Sequence, residues 1–292
     1  MGIEEEQFRF EVAGLVFSIL MSQDRSAIQF DEGYQGFLSS AQPAISIRAS
    51  YEGLPPLSLR DKDLVFDSEG DWRLYRLGGR NAIVFGDPAS DFPPDRVALF
   101  DDELRQIEVY SEPIRLPGGL FLDPLQYPLA EMLMICLLAR GRGLMMHACG
   151  ISDGERGFLF AGNSTHGKTT MARLWRDRAT VLNDDRIVLR QREGRFWMYG
   201  TPWHGEYSGT APQGAPLEKV FFLRHAGDNQ ARRVEGVMAA SMLLTRCFPP
   251  LWDAEGMGFS VDLCARLAEA VPCYELGFVP DERAVEYVRC VS

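Results

Sequence analysis

"GFLFAGNSTHGKTT", residues 157–170, decides how this chain is read. An apolar run ends at Gly162, four variable residues follow, and Gly167, Lys168 and Thr169 complete a phosphate-loop pattern. The two glycines let the backbone wrap closely, so that the N–H groups of Asn163, Ser164, Thr165 and His166 converge on one concavity. A helix opening near Lys168 turns its positive end toward the same place. Lys168 can then reach the terminal phosphates of a nucleoside triphosphate, Thr169 can offer its hydroxyl to Mg²⁺, and Thr170 completes the nucleotide-binding set. The strand before the loop and the helix after it predict an α/β domain built around ATP and Mg²⁺.

Reading downstream, "KTTMARLWRDR" has helical spacing, and "ATVLNDDRIVLR" reads as a strand whose middle carries Asp184 and Asp185. One carboxylate there can hold Mg²⁺, directly or through water, and a second can accept a proton from an attacking hydroxyl. Adjacent strand residues point to opposite faces, so only one of the two is expected to face the site directly. "RFWMYGTPWHGEY" is a strand running into an aromatic loop that carries His204 and Glu206, candidates for substrate contact or for loop packing. "PLEKVFFLRH" and "CYELGFVP" read as buried strands, while "VEGVMAASMLLTRCF", "SVDLCARLAEAV" and "DERAVEYVR" read as helices.

Upstream, "GLMMHACGI" is an apolar strand bearing His147, a residue that satisfies a core position or serves the loop beside it. Before it, Asp123 can cap a helix with Pro124 in its first turn, running to about Arg140. Residues 8 to about 120 carry short apolar runs such as "AISIRASYE", "NAIVFGD" and "QIEVYSE", the spacing of a β-rich region. The turn-rich "RLPGGLFLDP" suggests a boundary, giving a β-rich N-terminal domain over 1–117 and a catalytic domain over 118–292.

The net charge of -11, with no Lys/Arg tract, argues against a nucleic-acid or anionic-membrane surface. "YPLAEMLMICLLARG" is too short to span a bilayer and contains Glu131. The acidic start "MGIEEEQFRFEV" does not resemble a secretory signal, and the expectation is a cytoplasmic protein. The six cysteines are scattered without zinc-ligand spacing and are expected as reduced thiols.

Taken together, "MMHACGI", "FLFAGNSTHGKTT" and "VLNDDRIVL" resemble the C-terminal catalytic domain of HPr kinase/phosphorylase. The likeness is closer to the HPr-kinase-related proteins found beside peptide-modifying genes, and the phosphoenolpyruvate carboxykinase fold follows the same plan at greater distance. The order of His, phosphate loop, short helix and paired Asp carries the resemblance, which covers about residues 118 to 290. It implies an α+β phosphate-loop domain with a mixed sheet. It also implies Asp184 as the base acting on a serine hydroxyl, Asp185 near Mg²⁺ and His147 in support. The second glycine-rich signature loop of that family is not found; "GTPWHGEYSG" stands roughly in its place, so HPr itself is not the expected substrate.

The resulting expectation is an ATP- and Mg²⁺-dependent kinase acting on a Ser-type hydroxyl of a peptide or small protein. Its catalytic residues would be Asp184, Lys168 and His147, with Thr169, Asp184 and Asp185 at the metal. The N-terminal region would help recognise the substrate or pack against a second subunit in a homo-oligomer. A nucleotide-binding scaffold without phosphotransfer and a small-metabolite kinase are the alternatives. No N-K-x-D segment or distant Walker-type acid supports a GTPase or transport ATPase.

Overall fold

A computed structural model describes residues 7–86, 93–163 and 165–291. Ser164, expected in the phosphate loop, lies outside them. The chain divides into two compact units, Met1–Tyr34 with Leu38–Leu133 and Gln35–Phe37 with Met134–Ser292. The division falls inside the helix α1 (Leu129–Ala139).

The first unit holds β1 (Gln7–Val12), β2 (Leu15–Met21), β3 (Ile28–Gln29), β4 (Ile45–Ser50), β5 (Leu64–Asp67), β6 (Trp72–Leu77), β7 (Arg80–Phe85), β8 (Arg96–Phe100), β9 (Gln106–Ser111) and β10 (Phe121–Leu122). Eight of these strands form one sheet in the order β1-β2-β4-β9-β8-β7-β6-β5, parallel only at β2–β4 and β4–β9. Alternation sets its burial: Phe8, Phe10 and Val12 are buried along β1, with Phe10 stacked on Phe17 at 4.8 Å. Asp123 caps as expected, accepting the Leu125 N–H at 2.8 Å, but it closes a turn. The helix begins only at Leu129, because Pro128 disfavours helical backbone in the residue before it.

In the second unit, β11 (Leu144–Asp153) and β12 (Arg156–Ala161) form a hairpin, and α2 (Lys168–Trp175) follows the loop that begins at Gly162. Then come β13 (Thr180–Asn183), β14 (Arg186–Arg192), β15 (Arg195–Tyr199), β16 (Gly214–His225), β17 (Gln230–Val234), α3 (Gly236–Leu244), α4 (Ala254–Ala270), β18 (Cys273–Phe278) and α5 (Glu282–Cys290). The sheet runs β12-β11-β14-β15-β16-β18-β17, with β12 also pairing in parallel with β16 and β13 pairing with β11. The strands are therefore mixed, within an α+β architecture.

Side-chain alternation on the central strands divides the core into two layers. Phe158, Phe160, Phe221 and Leu223 join Met171 and Trp175 of α2 and Val285 of α5. Leu159, Ala161, Val220 and Phe222 join Leu243 of α3 and Leu263 and Leu267 of α4. Each fully buried side chain of this size contributes about 1.5–3 kcal/mol, which fixes the sheet between its helices.

The expected single strand over "ATVLNDDRIVLR" is instead two strands, β13 and β14, with Asp184 and Asp185 in the bend between them. Asn183 makes that bend, its Oδ1 accepting the N–H of Asp185 at 2.7 Å and of Arg186 at 2.9 Å. Strict alternation does not apply in a bend, so both carboxylates can serve one region.

Candidate active site

The site forms where β11 forks. Its first residues pair with β14, ending at His147 opposite Arg186, and the remainder pairs with β12, starting at Ala148 opposite Ala161. One strand thus sets His147 beside both the acidic bend, which precedes Arg186, and the glycine-bounded loop, which follows Ala161. The Ala148 N–H to Asp185 carbonyl bond of 3.2 Å closes the fork.

In the loop, Gly167 adopts a left-handed conformation at φ 98° and serves as N-cap of α2 without any side-chain capping bond. The first-turn amides of α2 therefore lack a side-chain acceptor, the condition in which a helix start receives an anion. A Cβ at Gly167 would lie 2.7 Å from the Phe278 ring, so both backbone and space require glycine there. Lys168 is 7% exposed and donates to the carbonyls of Gly162 at 2.9 Å and Asn163 at 3.3 Å. Burial lowers its pKa against the opposing pull of Asp185 and Asp184. Asn163 and Thr165 are exposed, and Thr170 lies in the first turn of α2. His166 packs edge-on to His225 at 5.8 Å, and its Nδ1 is buried with no hydrogen-bond partner.

The two acids sit in contrasting surroundings. Asp184 is 1% exposed and accepts from the Thr169 hydroxyl at 2.9 Å, the Gly205 N–H at 3.1 Å and the Tyr207 N–H at 3.2 Å. Asp185 meets the His147 Nε2 at 2.9 Å on one oxygen and the Arg186 guanidinium on the other. Burial alone would raise Asp185, but the His147 hydrogen bond and the charges of Arg186, His147 and Lys168 outweigh it and hold the carboxyl below its ordinary range.

Several contributors escaped the sequence reading. Arg186 follows the acid pair directly, and the run "NDDR" was the signal available for it. Asn183 is fully buried, and its Nδ2 donates to the carbonyls of Thr201 at 2.9 Å and Trp203 at 3.0 Å. Phe248 lies far along the chain, yet its ring sits 4.4 Å from the Arg186 guanidinium carbon and 5.8 Å from the His147 ring. The His147 N–H donates to the Arg246 carbonyl at 2.8 Å, which anchors that segment to the fork. His204 and Glu206 are exposed, and the amides of the neighbouring Gly205 and Tyr207 are what reach Asp184.

No protein-family model matches the chain. No curated protein matches it. Among solved structures it is similar to the HPr(Ser) kinase/phosphatase from Coxiella burnetii, at 12% sequence identity and a TM-score of 0.30, over 50% of this chain and 90% of that one. A score of 0.30 neither establishes a shared fold nor assigns an activity.

Proposed function

We propose that this protein is an ATP- and Mg²⁺-dependent kinase that transfers the γ-phosphoryl group to a Ser-type hydroxyl on a peptide or small protein. The observation that carries the reading is the junction of Thr169 with Asp184 at 2.9 Å beside Lys168, with the Asp185–His147 pair next to it. Phosphate grip, cation donors and a proton acceptor thereby share one fork.

Among the described residues, no group of three or more His, Cys, Asp or Glu side chains could hold a metal. The donors on offer are a hydroxyl and a carboxylate, a hard-oxygen set that suits Mg²⁺, which binds few protein groups and keeps several waters. Thr169 and Asp184 would hold it, and the bound cation would supply charge neutralisation at the phosphates. Lys168 and the amides of the loop and first helical turn grip the triphosphate and balance the charge that develops on transfer.

The resemblance placed the proton on Asp184. Its depth and its three donors suit it better to the cation, and Asp185 is the more accessible carboxylate, at 23% side-chain exposure. Asp185 therefore orients the acceptor hydroxyl and takes its proton, while His147 and Arg186 fix the carboxylate in place.

Incubation with γ-labelled ATP and the peptides encoded beside its gene, followed by mass spectrometry, tests the reading. Transfer of label to a serine hydroxyl only when Mg²⁺ is present is the expected result. Tight ATP binding with no transfer to any acceptor and no hydrolysis would overturn it.

A further inference from the structure

Three cations are buried among the described residues, and they are compensated unequally. Lys219 meets the Glu218 carboxylate at 2.9 Å. Lys168 meets only carbonyls, and it is the cation assigned above to the triphosphate. Arg96, 6% exposed at the start of β8, likewise has no carboxylate within ion-pair distance among the described residues. Of its five N–H groups, one on Nη1 donates to the Gln126 carbonyl at 3.1 Å, and Nε is buried with no partner. The Phe85 ring lies 4.2 Å from the guanidinium carbon and favours the charge through its face, without accepting those donors. Burial lowers the Arg96 pKa, and Asp95 and then Asp123 oppose it through space. A guanidinium does not give up its proton in a protein, so a buried one stays costly until acceptors complete its donors.

Arg96 lines a cleft of about 930 Å³, and every residue around that cleft belongs to the first unit. The size lies within the range of small-molecule sites, about 300–1,000 Å³. Trp72, Ile114 and Tyr127 give it apolar walls, of which Ile114 is 50% and Tyr127 72% exposed, so apolar surface stands open to water there. Asp71, Asp95 and Glu112 bring three carboxylates to the same cleft, and none of them forms an ion pair among the described residues. The Glu112 N–H donates to the Asp95 carbonyl at 2.8 Å, which sets these two acids side by side. Three acids repel a phosphate or other dianion, whereas a simple cation leaves Arg96 without an acceptor. A ligand that satisfies both carries a carboxylate and an ammonium close together.

We propose that this cleft binds a free α-amino acid with an aromatic or large apolar side chain. The ligand's carboxylate accepts from the unpaired N–H groups of Arg96, a charge-assisted contact that the planar guanidinium suits. Its ammonium, one carbon away, faces the acids, and its side chain covers the open apolar wall at Trp72 and Tyr127. Arg96 is thus the anchor, the acids select for the second charge, and the wall selects the side chain.

The test begins with a thermal-shift screen of the full-length protein against each standard amino acid in turn, with L-phenylalanine as the first probe. The best amino acid is then titrated calorimetrically beside two analogues, the amine that lacks its carboxylate and the acid that lacks its ammonium; for L-phenylalanine these are phenethylamine and hydrocinnamate. Each analogue is expected to bind about tenfold more weakly or worse. Arg96→Met keeps a stem over Phe85 and removes the charge, and a variant that still melts cooperatively should lose the amino acid altogether. No shift with any amino acid would overturn the proposal, as would equal binding of the amine without a carboxylate. Tighter binding of a tripeptide ending in the same residue, whose ammonium lies far from its carboxylate, would overturn the free amino acid as ligand. All three outcomes are read on the wild-type chain and do not depend on a variant that folds.

Discussion

Asp123 in the first unit and Asp185 in the second are both carboxylates withdrawn from water, and they end on opposite sides of the ordinary range. Asp123 is pushed up to about 7, chiefly by burial, with the Leu125 N–H and the Arg96 charge only partly opposing and Asp31 and Glu131 adding to the rise. Asp185 is also raised by burial, but His147, Arg186 and Lys168 surround it and carry it below its usual value. Depth therefore does not decide the sign; the number of cations within reach does. A carboxylate pulled up this way keeps its proton near neutrality, whereas one pulled down stays ionised and is available to a hydroxyl or a cation.

The strongest way to break the comparison is Asp185→Asn. It leaves Arg186 and His147 facing an amide, and phosphotransfer should fall by roughly 10²- to 10⁴-fold with ATP affinity retained. Single-turnover transfer measured beside equilibrium ATP binding checks this, and an equal loss in both would mean that Asp185 serves nucleotide binding.

Next in size is the pH dependence of the first unit. A raised carboxyl binds its proton more tightly when folded, so its stabilising contribution is full below the unfolded pKa near 3.8 and is lost as pH rises toward about 7. In Asp123→Asn that loss disappears, because the amide can still cap the turn without titrating. Denaturant melts at pH 4 and pH 8 should show the variant gaining about 2–4 kcal/mol relative to wild type at the higher pH. Asp185 has the reverse sign: its contribution is present above the unfolded carboxylate pKa and is lost as pH falls through the depressed folded value.

Lys168→Ala sharpens the contrast from the cation side. It removes a charge that pulls on Asp185 and a donor for phosphate, and ATP affinity should drop roughly tenfold to a hundredfold in calorimetric titration. Gly205→Ala should have the smallest effect. A Cβ there would sit 3.1 Å from the Asp185 Cβ and 3.2 Å from the Asp184 Oδ1, and displacing the acids slightly should cost about 1 kcal/mol in thermal melts.

The loop from Gly162 to Gly167 and the helix that opens at Lys168 were legible because their elements come from one contiguous run. The acid pair was legible as residue types but not as geometry. Nothing in "VLNDDRIVL" shows that Asn183 ends one strand and starts a bend, since the partners that orient its amide for the bend, the Thr201 and Trp203 carbonyls, lie outside that run. The helix start was misplaced because Asp123 and Pro124 match an N-terminus in every local respect, while Pro128 decides the outcome. Phe248 could not have been found, because its place over Arg186 depends on strand β11 pairing with residues a hundred positions further on.

Asn183 has one further consequence. One end of its amide accepts from the acidic bend and the other donates to the segment after β15, so a single planar group links two stretches of chain in fixed orientation. The bend carrying the acids and the loop whose amides hold Asp184 therefore cannot be adjusted independently. A leucine of the same size would orphan partners on both sides at once, and an aspartate would set an acceptor against the Thr201 and Trp203 carbonyls. The two halves of the site behave as one mechanical part, with position 183 as its axle.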